Sequence, residues 1–246
     1  QEVKSADEQL VKMREEALLS QQAGDEAAKT FCDVERRLVH CIAQEQEKAR
    51  KTLQGAKIKA MEKVSEKLSQ ALEAQQESKA AIVEEWDKLL EIEARYEECQ
   101  GDMNIVMQGF GHENCMPLRA SQTARRTTEK EKTAAEKTMA KAIVSSSKAN
   151  EQLNQAMAEF RKMLPASDSG GEATRDQELA DAWSALLQCR EAYAKAQAQK
   201  HRTIRGRLSA ARKLKEQNAR HAAIEKTYGK ASEELQVWRL ELAQLE

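Results

Sequence analysis

The sequence predicts an all-α protein, an elongated antiparallel three-helix bundle built like a coiled-coil rod, with a small loop cap at one end. Three observations predict it. Strong helix formers dominate, with 39 alanines and 33 glutamates among 246 residues. Helix breakers are scarce, at nine glycines and two prolines. Apolar residues recur at steps of three and four, and aromatic residues make up only 4%, which suits narrow seams between helices and excludes a thick globular core. A disordered chain with 33% charged residues would carry more Pro, Gly and Ser and a larger net charge than −1.

Taken in order, residues 1–24 read as a short N-terminal helix. Ser5 stands three residues before Glu8, the capping-box spacing, and Gly24-Asp25 supplies a first break. Residues 25–99 read as helix 1. They hold no proline and one glycine, Gly55, the expected place for a bend. The seam Val64, Leu68, Ala71, Gln75, Ser78, Ile82, Leu89, Ile92, Tyr96 and Cys99 has polar members in its middle and Trp86 beside it. A continuous helix of this length would span about 110 Å.

Residues 100–118, containing "QGFGHENCMPL", read as a tip loop that ends near Pro117. The loop is longer than a minimal interhelical turn. It also spends Ile105, Val106, Met107, Phe110 and Met116 at one end of the bundle, which makes these five the candidate contact cap. Helix 2 follows over 119–164, and "PASDSGGEAT" at 165–174 is the clearest loop. Helix 3, over 175–245, has the cleanest period: Trp183, Leu186, Ile204, Leu208, Ala211, Leu214, Asn218, His221, Ile224, Tyr228, Ala231, Leu235, Trp238, Leu242 and Leu245. The whole chain, 1–246, reads as one domain. An alternative places helices 1 and 3 antiparallel, with 100–173 as a broken helical head.

Charge favours the up-down-up arrangement. Residues 84–98 carry seven acids against two bases, and residues 200–215 carry seven Lys/Arg and no acid. Counting through the helices puts residue 208 level with residue 84, so the two runs would lie side by side. The basic run therefore reads first as an intramolecular partner, and second as a surface for acidic lipid. Near-zero net charge and the lack of aromatic residues in the run argue against nucleic acid.

Metal and catalytic grammar is missing from the sequence. It contains no CxxC pair, no HExxH, no GxSxG and no GxxxxGK[ST]. Cys32 and Cys41 beside His40 lie too far apart on one helix to share an ion, His112 with Cys115 is a weak pair, and His201 and His221 read as seam or surface residues. No metal, cofactor or catalytic residue is expected. Five cysteines cannot all pair within one chain. In a hairpin geometry Cys99 and Cys115 fall at the same end, so in an extracellular protein a disulfide closing that loop is expected. A fold-back at Gly55 would bring Cys41 toward Cys189 as a second pair.

The Glu/Ala composition, the three long amphipathic helices, the tip loop with Cys115 and the start at Gln1 together resemble the elongated helical-bundle surface proteins of African trypanosomes. These are the glutamic acid/alanine-rich protein of the insect-stage coat, the haptoglobin-haemoglobin receptor and the N-terminal domain of variant surface glycoproteins. The resemblance implies a non-catalytic, extracellular, cell-surface protein held by a GPI anchor encoded outside this sequence. Its role would be a protective coat or a receptor for a host ligand, with a host protein or neighbouring coat molecules as partners. Glu/Ala richness tilts toward the coat, and an exposed apolar patch would tilt toward the receptor. The alternative, from another class, is an intracellular BAR-like or coiled-coil module that binds membranes or scaffolds partners.

Overall fold

The computed structural model describes residues 2–53, 55–109, 118–164 and 173–243. They form an all-α bundle of four helices: α1 (Glu2–Thr52), α2 (Ala56–Met107), α3 (Leu118–Met163) and α4 (Ala173–Ala243). The expected count of three is corrected to four, because Gly55 reverses the chain where a bend was expected. Its φ of +60° lies in the left-handed region, which costs an L-residue with a side chain about 1–2 kcal/mol and glycine almost nothing. Just before it, the Leu53 N–H closes α1 on the Ala49 carbonyl at 2.8 Å. Gly24, by contrast, breaks nothing. It sits inside α1, so the short helix expected over 1–24 is the first part of a 51-residue helix.

The expected start of the tip loop is also corrected. Helix α2 does not stop at Cys99 but continues to Met107. Met103 and Ile105 keep its seam buried. Gly101 serves close approach: an added Cβ would lie 3.2 Å from Cγ of Arg212 on α4. The helix ends at Gly109, φ +74°, whose N–H reaches the Val106 carbonyl at 3.2 Å while Gln108 N–H reaches Asn104 at 3.1 Å. A left-handed glycine at this place is a common helix stop. The expected boundaries of the last two helices lie within two residues of α3 and α4.

The chain forms two compact units. The first comprises Gln1–Ala17, Leu90–Thr133 and Thr203–Glu246, and the second comprises Leu18–Leu89 and Ala134–Arg202. In the first unit α2 and α4 run parallel. Glu93 accepts from Arg205 Nε at 2.7 Å, Asn104 donates to Glu216 at 2.9 Å, and Arg220 donates to Gln108 at 2.8 Å, each pair 112 residues apart. Glu97–Arg212 (2.9 Å) and Asp102–Lys215 (2.6 Å) add ion pairs in the same sense. Helix α3 runs antiparallel to α2, joined by Arg95–Glu131 and by Lys132–Glu93. The basic run thus meets acids of α2, as its charge predicts. Its register is set by position 93 facing 205 and not by 84 facing 208, because α2 runs on to Met107 before the chain turns.

The second unit holds the larger core. In it α1 and α2 form an antiparallel hairpin, tied by Gln46 to Ser65, by Arg50 to Glu62 at 3.8 Å, and by Glu35 to Lys79 at 2.9 Å. Phe31 and Leu38 of α1, Leu68 of α2, Leu153, Met157 and Phe160 of α3, and Leu179 and Leu186 of α4 are fully buried there. These apolar side chains recur at helical spacing, so one stripe of each helix faces the common core. Cys41 is buried in this core and Cys189 packs against it, both as free thiols.

Candidate functional site: an apolar groove in the second unit

All four helices of the second unit contribute to a groove of about 290 Å³. Its walls include Phe31 of α1, Ile82, Val83 and Trp86 of α2, Ile143 of α3 and Tyr193 of α4. Periodicity explains how they converge. Gln75, Lys79, Ile82 and Trp86 follow at steps of four, three and four along one face of α2, while Arg190, Tyr193, Ala194 and Gln197, three, one and three residues apart, share one face of α4. Ser146 and Asn150, one turn apart on α3, complete the lining.

The aromatic walls are locked from behind. Phe31 stacks on Tyr193 with ring centroids 5.6 Å apart, and Trp86 stacks on His201 at 3.9 Å with the planes 13° apart. Such stacking adds about 0.5–1.5 kcal/mol beyond area burial. Lys79 lies at one wall with its ammonium 4.3 Å from the Phe31 ring centroid and 2.9 Å from Glu35 Oε2. Burial pushes the Tyr193 phenol above its usual pKa, so the ring is neutral at physiological pH.

Polar capacity in the groove is left unused. Among the described residues, Gln75 Oε1, Asn150 Oδ1 and Arg190 Nη1 are buried without a hydrogen-bond partner. An unsatisfied buried polar atom costs about 1–3 kcal/mol, and more when charged. All three belong to side chains that line one apolar cavity, and turning them into it would let a largely apolar ligand, with an anion for Arg190 and a donor for Gln75 or Asn150, relieve the cost. A few convergent polar groups in an otherwise apolar concavity are the usual composition of small-ligand sites.

The contact cap expected from sequence is divided. Ile105 is buried, Val106 is half-buried and Met107 is exposed. Phe110, Cys115 and Met116 lie outside the described residues, as does His112. Cys99 is half-buried within α2, eight residues short of its end. His40 is exposed and bonded to Gln44 at 2.9 Å. Among the described residues no three His, Cys, Asp or Glu side chains are grouped so as to hold an ion, and no helix is long and apolar enough to cross a membrane.

Of the groove residues, the seam read from the sequence included Gln75 and Ile82, with Trp86 beside it. It gave no reason to choose Phe31, Asn150, Arg190 or Tyr193. The available signal was a polar break in the seam at Gln75 and Ser78, next to Trp86. Set against known proteins, the chain matches no protein-family model, no curated protein and no solved structure.

Proposed function

We propose that this protein is a non-catalytic binding protein of the cell surface, a receptor for a host ligand, with the groove of the second unit as its site. The single observation that supports binding over pure coat formation is the set of three unpartnered buried polar atoms, Gln75 Oε1, Asn150 Oδ1 and Arg190 Nη1, around an aromatic cavity. A coat needs only a packed helix and a polar exterior. Unpaired polar atoms buried beside a cavity lower stability, and they gain when their side chains turn into it and pair with a ligand. The ligand group that fits is flat, apolar and anionic, either as a small molecule or as part of a larger host molecule. Surface location rests on the resemblance to trypanosome coat proteins and receptors.

The experiment is a calorimetric titration of the intact chain with 6-hydroxy-2-naphthoate, which carries an anion for Arg190 and a hydroxyl donor for Gln75 or Asn150, alongside the uncharged 6-hydroxy-2-naphthamide. Saturable one-site binding is expected for the carboxylate and weaker binding for the amide. Arg190→Met should lower the carboxylate's affinity by about tenfold or more, the scale of a hydrogen bond to a charged group. Absence of saturable binding, or equal affinity in the variant, would refute the site. Location is tested by labelling intact parasites with a membrane-impermeant biotin reagent: labelled protein supports the surface, and labelling only after permeabilisation refutes it.

A further inference from the structure

The cleanest apolar period in the sequence runs past the part of α4 that has anything to pack against. In the first unit, Gln108–Arg220 is the last pair between α2 and α4, and α2 ends at Met107. From Ile224 to Arg239 every residue of α4 is exposed. Within that stretch Ile224 is 64% exposed, Tyr228 77%, Leu235 52% and Trp238 67%. With His221 and Ala231 they fall at alternating steps of three and four, the a and d positions of three heptads, and the sequence keeps the spacing through Leu242 and Leu245. A solitary helix of this length in water is marginal, and Gly229 in its middle weakens it by about 1 kcal/mol. A regular apolar seam on a helix with no neighbour among the described residues needs a partner.

We propose that the partner is a second copy of this segment, paired in parallel and in register as a two-stranded coiled coil over residues 220–239. The flanking charges single out this occupant. In a parallel pair each g residue faces the e residue five positions later on the other strand. With His221, Tyr228 and Leu235 at a, the g and e partners are Arg220 with Glu225, Thr227 with Ser232, and Glu234 with Arg239. Both charged pairs are opposite in sign, and two-fold symmetry doubles them. The sequence continues with Glu at 241 and 246, beyond the paired segment. The segment is therefore complementary to itself in both its apolar seam and its edges. Tyr228, Leu235 and Trp238 supply the buried contacts, and the His221 layer ranks among the weakest.

The test measures mass by sedimentation equilibrium on the intact chain over a range of concentrations. A reversible dimer is expected. Leu235→Asp with Trp238→Asp should leave a monomer that loses at most the helix signal of the freed segment while the bundle's thermal unfolding is unchanged, since both side chains are exposed and the bundle does not use them. Register is tested by charge. Glu234→Arg should weaken association about tenfold, through two lost attractions and two new repulsions, and adding Arg239→Glu should restore it. A monomer at every concentration would overturn the proposal. So would a dimer that survives the double aspartate variant, or a Glu234→Arg defect that Arg239→Glu does not repair.

Discussion

Replacing Lys79 with methionine isolates the charge that holds one wall of the groove. Glu35 is 5% exposed and its Oε2 lies 2.9 Å from the Lys79 ammonium, while Oε1 has no hydrogen-bond partner among the described residues. Lys79→Met keeps the aliphatic stem but leaves a buried carboxylate with neither oxygen paired. Removing one member of a buried pair costs about 3–5 kcal/mol. The lower end applies here, because Lys79 keeps 21% of its side-chain exposure and water can partly replace it. A loss of about 3 kcal/mol corresponds to a fall in Tm of roughly 6–12 °C for a chain of this size. Removing both charges in Glu35→Leu/Lys79→Met should recover most of it, since well-packed apolar pairs often match buried ion pairs. The assay is a double-mutant cycle by chemical denaturation. A Lys79→Met variant within about 0.5 kcal/mol of the parent, or single effects that simply add in the double variant, would refute the reasoning.

Three further outcomes follow from the same structure. Gly55→Ala should destabilise by about 1–2 kcal/mol because its φ is positive, whereas Gly24→Ala should stabilise by about 0.5–1 kcal/mol, since its new Cβ makes only ordinary contacts with Lys200 Cδ at 3.5 Å and Gln197 Nε2 at 3.8 Å; thermal melts of both check this, and a stabilising Gly55→Ala would mean the helix runs straight through. Stability should fall at alkaline pH, because burial raises both the Cys41 thiol and the Tyr193 phenol. Groups with raised pKa contribute fully below their unfolded values, about 8.5 for the thiol and about 10 for the phenol, and that contribution is lost as pH rises through the higher folded values; urea titrations from pH 7 to 11 check it, with Cys41→Ala removing the earlier part. In the first unit, Glu93 is buried between Arg205 at 2.7 Å and Lys132 at 3.6 Å. Arg205→Met should therefore cost about 2 kcal/mol, more than Glu93→Leu, which leaves two partly exposed cations that rehydrate; denaturant midpoints of the two variants decide the order.

Much of this fold was legible, and the misses have physical causes. Composition and periodicity gave the helices, and the opposed runs at 84–98 and 200–215 gave the parallel sense of α2 and α4, now fixed by Glu93–Arg205. Glycine was the weak point. Gly24, Gly55, Gly101 and Gly109 look alike in a sequence, yet Gly24 is tolerated, Gly55 reverses the chain, Gly101 admits Arg212 and Gly109 ends α2. Only φ and the approaching neighbour separate those roles, and both depend on tertiary packing. Mistaking Gly55 for a bend turned four helices into three. The groove was hidden for a related reason: Phe31, Lys79, Asn150 and Arg190 come from different helices, and no local pattern ties them together. The seam of α4 misled in the other direction, since the same heptad spacing holds where Leu186 is buried and where Trp238 is exposed.

The most direct test of ligand capture reads the groove from inside it. A chain carrying Trp183→Phe and Trp238→Phe keeps Trp86 as its only tryptophan, placed in the groove wall. Its emission should change saturably as 6-hydroxy-2-naphthoate is added, with the affinity found by calorimetry, and Ser146→Phe, which fills the cavity, should abolish both signals. Calorimetric binding with an unchanged Trp86 spectrum, or binding that survives Ser146→Phe, would contradict the assignment of the groove as the binding site.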